Sequence, residues 1–143
     1  RRTRWISRQC FCNVRCASRI YTPFVSLAQR DALQIFLNTA GHVCEGTGTN
    51  IFIVFGDKVI TPPLSSGPLA GITRELIMEW CAVEERDLTL DEAMFADEVF
   101  LTSSMRDVQG VERWHDETFS RPNTVTGAVA AVFAERSEAD LDP

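Results

Sequence analysis

Lysine is nearly missing from this chain. Lys58 is the only one in 143 residues, and it falls in Gly56-Asp57-Lys58, a hairpin-tip pattern that puts a side chain in water. Any chemistry that needs a lysine amine has that one candidate. Acids are missing from residues 1–30, which hold seven Arg. Residues 31–143 hold all 20 acids against six Arg and one Lys, so charges of +7 and −13 give the net −6. The acidic body excludes a nucleic-acid-binding surface over most of the chain. Long apolar runs are missing too: the longest, Ile51-Phe52-Ile53-Val54-Phe55, is strand-sized, so no membrane span is expected. Histidine is limited to His42 and His115, and neither has a ligand partner in sequence. The Cys10-x-Cys12-x3-Cys16 spacing matches no zinc ribbon or knuckle, so ordinary thiols are expected rather than a metal site. Five cysteines, an odd number, fit a reducing, cytoplasmic compartment better than a disulfide framework. The sequence does not begin with Met, which reads as a fragment or a processed form.

What is present amounts to one domain with enough apolar content for a real core. Residues 1–32 are set apart as an atypical basic segment. Three readings stay open for it: ordinary structure, a transit-like leader rich in Arg and Ser, or a stretch translated out of frame. From Leu33 the chain becomes legible. Leu33–Asn38 and His42–Glu45 read as strands around a Thr39-Ala40-Gly41 turn. Asn50–Phe55 is a buried strand and Val59–Thr61 its return, stopped by Pro62-Pro63. A Ser/Gly/Pro-rich loop leads to a helix in which Ile72/Thr73, Leu76/Ile77 and Trp80/Cys81 recur every four residues. Arg74, Glu75 and Glu79 fall between them, and Trp80 reads as core. Val83–Thr89 and Asp97–Thr102 fit strands, with a short helix between them opened at Asp91-Glu92 and capped by Thr89. Val108–Trp114 reads as one more strand. Asn123 or Thr124 caps a last helix through Arg136, and 137–143 is an acidic, frayed tail. The mixture is α/β or α+β.

Three loops each end in a group suited to one ligand. The first is Glu45 beside the backbone of Gly46-Thr47-Gly48. The second is Gly71-Ile72-Thr73, where a loop enters a helix whose first amides are unpaired and whose dipole favours an anion. The third is the hydroxyl pair Ser103-Ser104 at a strand end. Amides and hydroxyls suit a phosphate, whereas the acid would repel one. All three suit one ligand only if it is anionic at one end and cationic at the other. Taken singly, each loop is explained as well by turn geometry or a helix start.

Their order and wording carry more. The run Glu45-Gly46-Thr47-Gly48-Thr49-Asn50-Ile51-Phe52, then Thr61-Pro62, then Leu69-Ala70-Gly71-Ile72-Thr73-Arg74, then Ala96-Asp97-Glu98-Val99-Phe100-Leu101-Thr102 resembles the class IV aminotransferases. These are pyridoxal 5'-phosphate enzymes of fold type IV, among them branched-chain and D-amino-acid aminotransferases and 4-amino-4-deoxychorismate lyases. The resemblance spans about residues 33–135 and implies the larger, cofactor-binding C-terminal domain, a mixed sheet or pseudo-barrel with helices, over 33–136. It further implies a homodimer acting on a small amino acid, keto acid or aminodeoxychorismate. It assigns Glu45 to the pyridine nitrogen and Leu69 to the ring face. Gly71 and the amides of Ile72 and Thr73 fall to the phosphate, Gly48 to a close backbone approach, and Ser103 or Ser104 to the last phosphate contact. The wording Leu101-Thr102-Ser103-Ser104-Met105-Arg106-Asp107-Val108-Gln109 looks most like the lyase or D-amino-acid members, with branched-chain members close behind.

The family also implies a lysine that carries the cofactor as a Schiff base, roughly 34 residues before the glutamate. That position falls near Phe11, within Ser7-Arg8-Gln9-Cys10-Phe11-Cys12-Asn13, and no lysine is there. The smaller first domain, with its phosphate-binding arginine, has no counterpart here. The expectation is therefore a partial chain, inactive by itself. The alternative is an inactive homologue that holds the cofactor non-covalently or only dimerises.

Overall fold

The computed structural model describes residues 24–26, 32–114, 117–119 and 124–139. Its centre is a strand pair, β4 (Asn50–Phe55) and β7 (Glu98–Ser103), antiparallel from Asn50↔Thr102 to Val54↔Glu98. β5 (Lys58–Thr61) returns beside β4 through the Gly56-Asp57 turn, and β6 (Val83–Glu85) adds a parallel edge. β8 (Asp107–Gly110) closes the other side, giving the five-stranded order β6-β5-β4-β7-β8. β1 (Phe24–Ser26), β2 (Ala32–Leu37) and β3 (Val43–Gly46) form a three-stranded sheet. β9 (Arg113–Trp114) pairs with β10 (Glu117–Thr118). The helices are α1 (Ile72–Trp80), α2 (Leu90–Met94) and α3 (Thr124–Ala139). The expected mixed α/β class is the one observed.

The continuous apolar run of β4 follows from its central place, because a strand covered on both faces has no solvent side to alternate with. Ile51 and Ile53 point into one cluster with Val99, Leu101, Leu88 and Trp114. Phe52 and Val54 point into the other with Phe100, Ile77, Val129 and Phe133, under α1 and α3. Phe52 and Phe100 face each other across the pair and stack at 4.8 Å, 5° from parallel.

Several sequence boundaries move. Val83–Thr89 keeps strand pairing only to Glu85, because its partner β5 ends at Thr61, before Pro62-Pro63. Val108–Trp114 divides into β8 and β9: the Val111 amide bonds to the Val99 carbonyl, and the chain leaves the sheet edge there. α3 continues to Ala139, past the expected fraying point at Ser137. Arg74, between the apolar helix positions, is nevertheless buried, and Ile72, on the expected apolar stripe, is 61% exposed. Trp80 is only partly buried, tilted against Phe133 with Arg136 near its ring. His42 lies 3.8 Å from Asp87, while His115, Asn123 and nearly all of residues 1–32 fall outside the described residues.

The Thr89 cap is reciprocal. The Thr89 hydroxyl accepts from the Glu92 amide at 3.2 Å, and a Glu92 carboxylate oxygen accepts from the Thr89 amide at 3.0 Å. The amide bond from Thr89, aided by Arg86, holds the Glu92 carboxyl below its ordinary range. Replacing Thr89 with Ala is expected to lower stability by about 1 kcal/mol, read from urea unfolding. A change of a few tenths or less would show that α2 does not depend on this cap.

Candidate functional site

A cavity of about 190 Å³ opens at the end of the central strand pair, where Asn50 and Thr102 are register partners. Several chain segments meet there. β3 delivers Glu45, the following turn delivers Gly48, the loop before α1 delivers Leu69 and Gly71, and the end of β7 delivers Ser103 and Ser104. Ile72 and Thr73 start α1 on the same wall. All eight residues singled out as candidate ligand contacts thus line one cavity, although Glu45 and Ser104 lie 59 positions apart in sequence.

The α1 end presents donors. Gly71 is the N-cap and has no side chain to satisfy the first turn. Its own amide turns back to the Leu69 carbonyl at 2.9 Å, and the first α1 amide bond is that of Glu75 to Gly71. The amides of Ile72 and Thr73 therefore have no acceptor among the described residues, at the positive end of a nine-residue helix. Thr73 is buried beside them. Two further hydroxyls in the wall, those of Thr49 and Thr102, are buried with no partner among the described residues.

The same lining also presents an acid. Glu45 is half-buried, and its Oε2 accepts from the Leu69 amide at 2.8 Å. Burial pushes its carboxyl above the usual range, and the Leu69 amide pulls part of the way back. A carboxylate held among apolar atoms gains most from a cationic neighbour. Leu69, 56% exposed, adds an apolar contact to the same lining. Gly48 adopts φ +65°, which a side chain would strain, and no atom crowds it. Ser103 is partly buried and Ser104 exposed, so the two hydroxyls sit at different depths.

Sequence reasoning gave no role to Asn50, Thr49 or Thr102. The available signal for Asn50 was a polar residue opening an otherwise apolar central strand. Arg74 is a second omission. It is 5% exposed, and its Nη2 donates to the Pro62 carbonyl at 3.0 Å and to Glu85 Oε1 at 2.6 Å. It ties the first turn of α1 to the loop before it and to β6. Lys58 takes no part. It pairs with Phe55, five residues along β4 from Asn50, which at about 3.3 Å per residue is roughly 16 Å from the cavity end.

A family model described as amino-transferase class IV matches residues 26–114. The chain belongs to that family. It is 38% identical over 120 residues to a probable branched-chain-amino-acid aminotransferase of Thermotoga maritima, covering 76% of this chain and 44% of that one. The crystal structure of a putative branched-chain amino acid aminotransferase from the same organism superposes with a TM-score of 0.72 at 38% identity, covering 78% of this chain and 43% of the other. A putative 4-amino-4-deoxychorismate lyase from Legionella pneumophila superposes with a TM-score of 0.68 at 29% identity, over 71% of this chain and 40% of its own. The chain spans less than half the length of the relatives it matches. Both relationships fit the fold type IV architecture expected from the motifs. No helix among the described residues is long and apolar enough to cross a membrane.

Proposed function

We propose that this chain is the cofactor-binding half of a pyridoxal 5'-phosphate-dependent class IV aminotransferase of branched-chain type, acting on an amino acid and a keto acid within a homodimer. One observation carries the reading: a single cavity is lined by both a half-buried carboxylate and the unpaired amides of a helix start. Pyridoxal phosphate has a protonatable ring nitrogen at one end and a phosphate at the other, so each pole meets its complement. The cavity is smaller than the roughly 300–1,000 Å³ of a complete small-molecule pocket, which suits one half of a divided site. The branched-chain assignment follows the names of the most similar relatives, in preference to the lyase-like wording around Ser103-Ser104.

When bound, pyridoxal phosphate supplies an electron sink for a carbanion on the substrate. The residues of this chain would orient and charge it. Glu45 holds a proton on the ring nitrogen. Leu69 packs on the ring face. The Ile72 and Thr73 amides, with the hydroxyls of Thr73 and of Ser103 or Ser104, hold the phosphate, and Gly48 leaves room for backbone approach.

A second reading has its own support. Lys58 is the only lysine and is exposed at the far end of β4, which favours an inactive homologue that holds the cofactor without a covalent bond. Titration with pyridoxal phosphate, followed by absorbance, is expected to saturate, to reverse on dialysis and to be competed by inorganic phosphate. Borohydride treatment should leave no cofactor on any tryptic peptide. Cofactor recovered on Lys58 would refute the placement described above, and absence of any binding would refute the cofactor reading itself.

A further inference from the structure

Leu69 is held in the cavity by its backbone at both ends. Its N–H donates to Glu45 Oε2 at 2.8 Å, and its carbonyl accepts from Asn50 Nδ2 at 2.8 Å. The same carbonyl accepts the Gly71 amide. Side chains from two strands, β3 and β4, therefore grip one exposed loop residue. Asn50 itself is 5% exposed. Gly71 lies directly against it: a Cβ on residue 71 would run into Asn50 Oδ1. The Gly71 backbone, at φ −73°, is one any residue adopts. Glycine is thus required there by the Asn50 side chain and not by the turn.

We propose that Asn50 is a positioning residue: by fixing the Leu69 carbonyl it seats the Leu69 amide on Glu45 and sets where α1 begins, so that the acid and the amide ends of the cavity are spaced before a ligand arrives. This deepens the pyridoxal phosphate reading and rests on it for the ligand, but the clamp itself stands without one. Holding a site in its bound geometry strengthens binding by cutting the ordering cost. The clamp needs a donor at residue 50, which asparagine has and aspartate lacks.

The test reads the free protein first. In the wild-type chain, the Leu69 amide is expected to be protected from hydrogen exchange despite the exposure of its side chain. In Asn50→Ala, that protection should fall roughly tenfold, the scale of one hydrogen bond. Losing the Leu69 amide also removes the bond that lowers the Glu45 carboxyl, so its carbon-13 titration should move upward. Gly71→Ala should produce the same two changes by pushing on Asn50. Pyridoxal phosphate affinity should weaken by a similar factor of roughly ten in both variants. An unprotected Leu69 amide in the wild type overturns the proposal, as does a folded Asn50→Ala chain in which only the melting temperature changes and Glu45 titrates as before. If Asn50→Ala does not fold, wild-type exchange and Gly71→Ala decide. If the wild type fails to bind pyridoxal phosphate, the functional reading falls and the ligand-free measurements still settle the clamp.

Discussion

Phe52→Ala is expected to destabilise the domain by about 3–5 kcal/mol, the range for truncating a fully buried phenylalanine. The side chain has no exposed surface and stacks on Phe100 at 4.8 Å. Its ring fills the space between the central strand pair and the two helices, in the cluster that holds Ile77 of α1 and Phe133 of α3. Alanine would leave a cavity roofed by two helices and floored by Phe100. In a domain of roughly 100 residues each kcal/mol moves the thermal midpoint by about 4–8 °C, so a loss of about 12 °C or more should appear in a circular dichroism melt. Phe95 provides the control: it is 84% exposed, and Phe95→Ala should stay within about 0.5 kcal/mol of wild type. If the two variants melt together, the described core is wrong. The effect also reaches the site, because Asn50 lies two residues before Phe52 on the same face of β4. Weaker packing of α1 on Phe52 should therefore weaken ligand binding even where the variant remains folded.

The contrast between these two phenylalanines shows which parts of the fold were legible in sequence. The run Ile51–Phe55 announced a buried strand, and the glycine and proline punctuation placed the turns around it. The three loops carrying Glu45, Thr73 and Ser103-Ser104 were legible because each pairs a chemical group with a chain reversal. Their convergence was legible only through the family resemblance, since it depends on β4 and β7 being neighbours although some 40 residues separate them. The burial of Arg74 was not legible for a related reason. Helical periodicity puts it between apolar positions, but its true neighbours, Pro62 and Glu85, come from two other segments. The two roles of Asn50, donor to Leu69 and obstacle to a side chain at 71, depend on distances that no periodicity encodes. Val83–Thr89 was overextended because the length of its partner strand, which stops at Thr61, is not visible in the run itself.

Glu98 makes the second large prediction. It sits in the motif Ala96–Thr102 and is 6% exposed, a poor place for a charge. The start of α3 explains it: Glu98 accepts from the Val125 amide at 3.1 Å and from the Thr126 amide at 2.8 Å. A carboxylate from the central sheet thus caps a helix 26 residues downstream, at its positive end. Burial alone would raise the Glu98 carboxyl, but the α3 amides outweigh it and hold the group below its ordinary range. Glu98→Ala leaves those amides without an acceptor and is expected to cost about 2–4 kcal/mol, since bonds to a charged acceptor are worth about 1.5–3 kcal/mol. Glu98→Gln keeps one oxygen acceptor and should cost less. The pH dependence separates the charge from the shape. A carboxyl whose pKa is lower in the folded chain contributes stability above its unfolded value, near 4.5, and loses it as pH falls through the folded one. Wild type should therefore exceed Glu98→Gln in urea unfolding at neutral pH, and the gap should close as the pH is taken below about 4. A gap that stays constant from neutral to acid pH would mean that geometry alone seats α3. In that case, acidification would leave α3 docked over Phe52 and Phe100. With the carboxylate in charge, acidification should release α3 from Phe100 and disturb β7, the strand that carries Ser103 and Ser104 to the cavity.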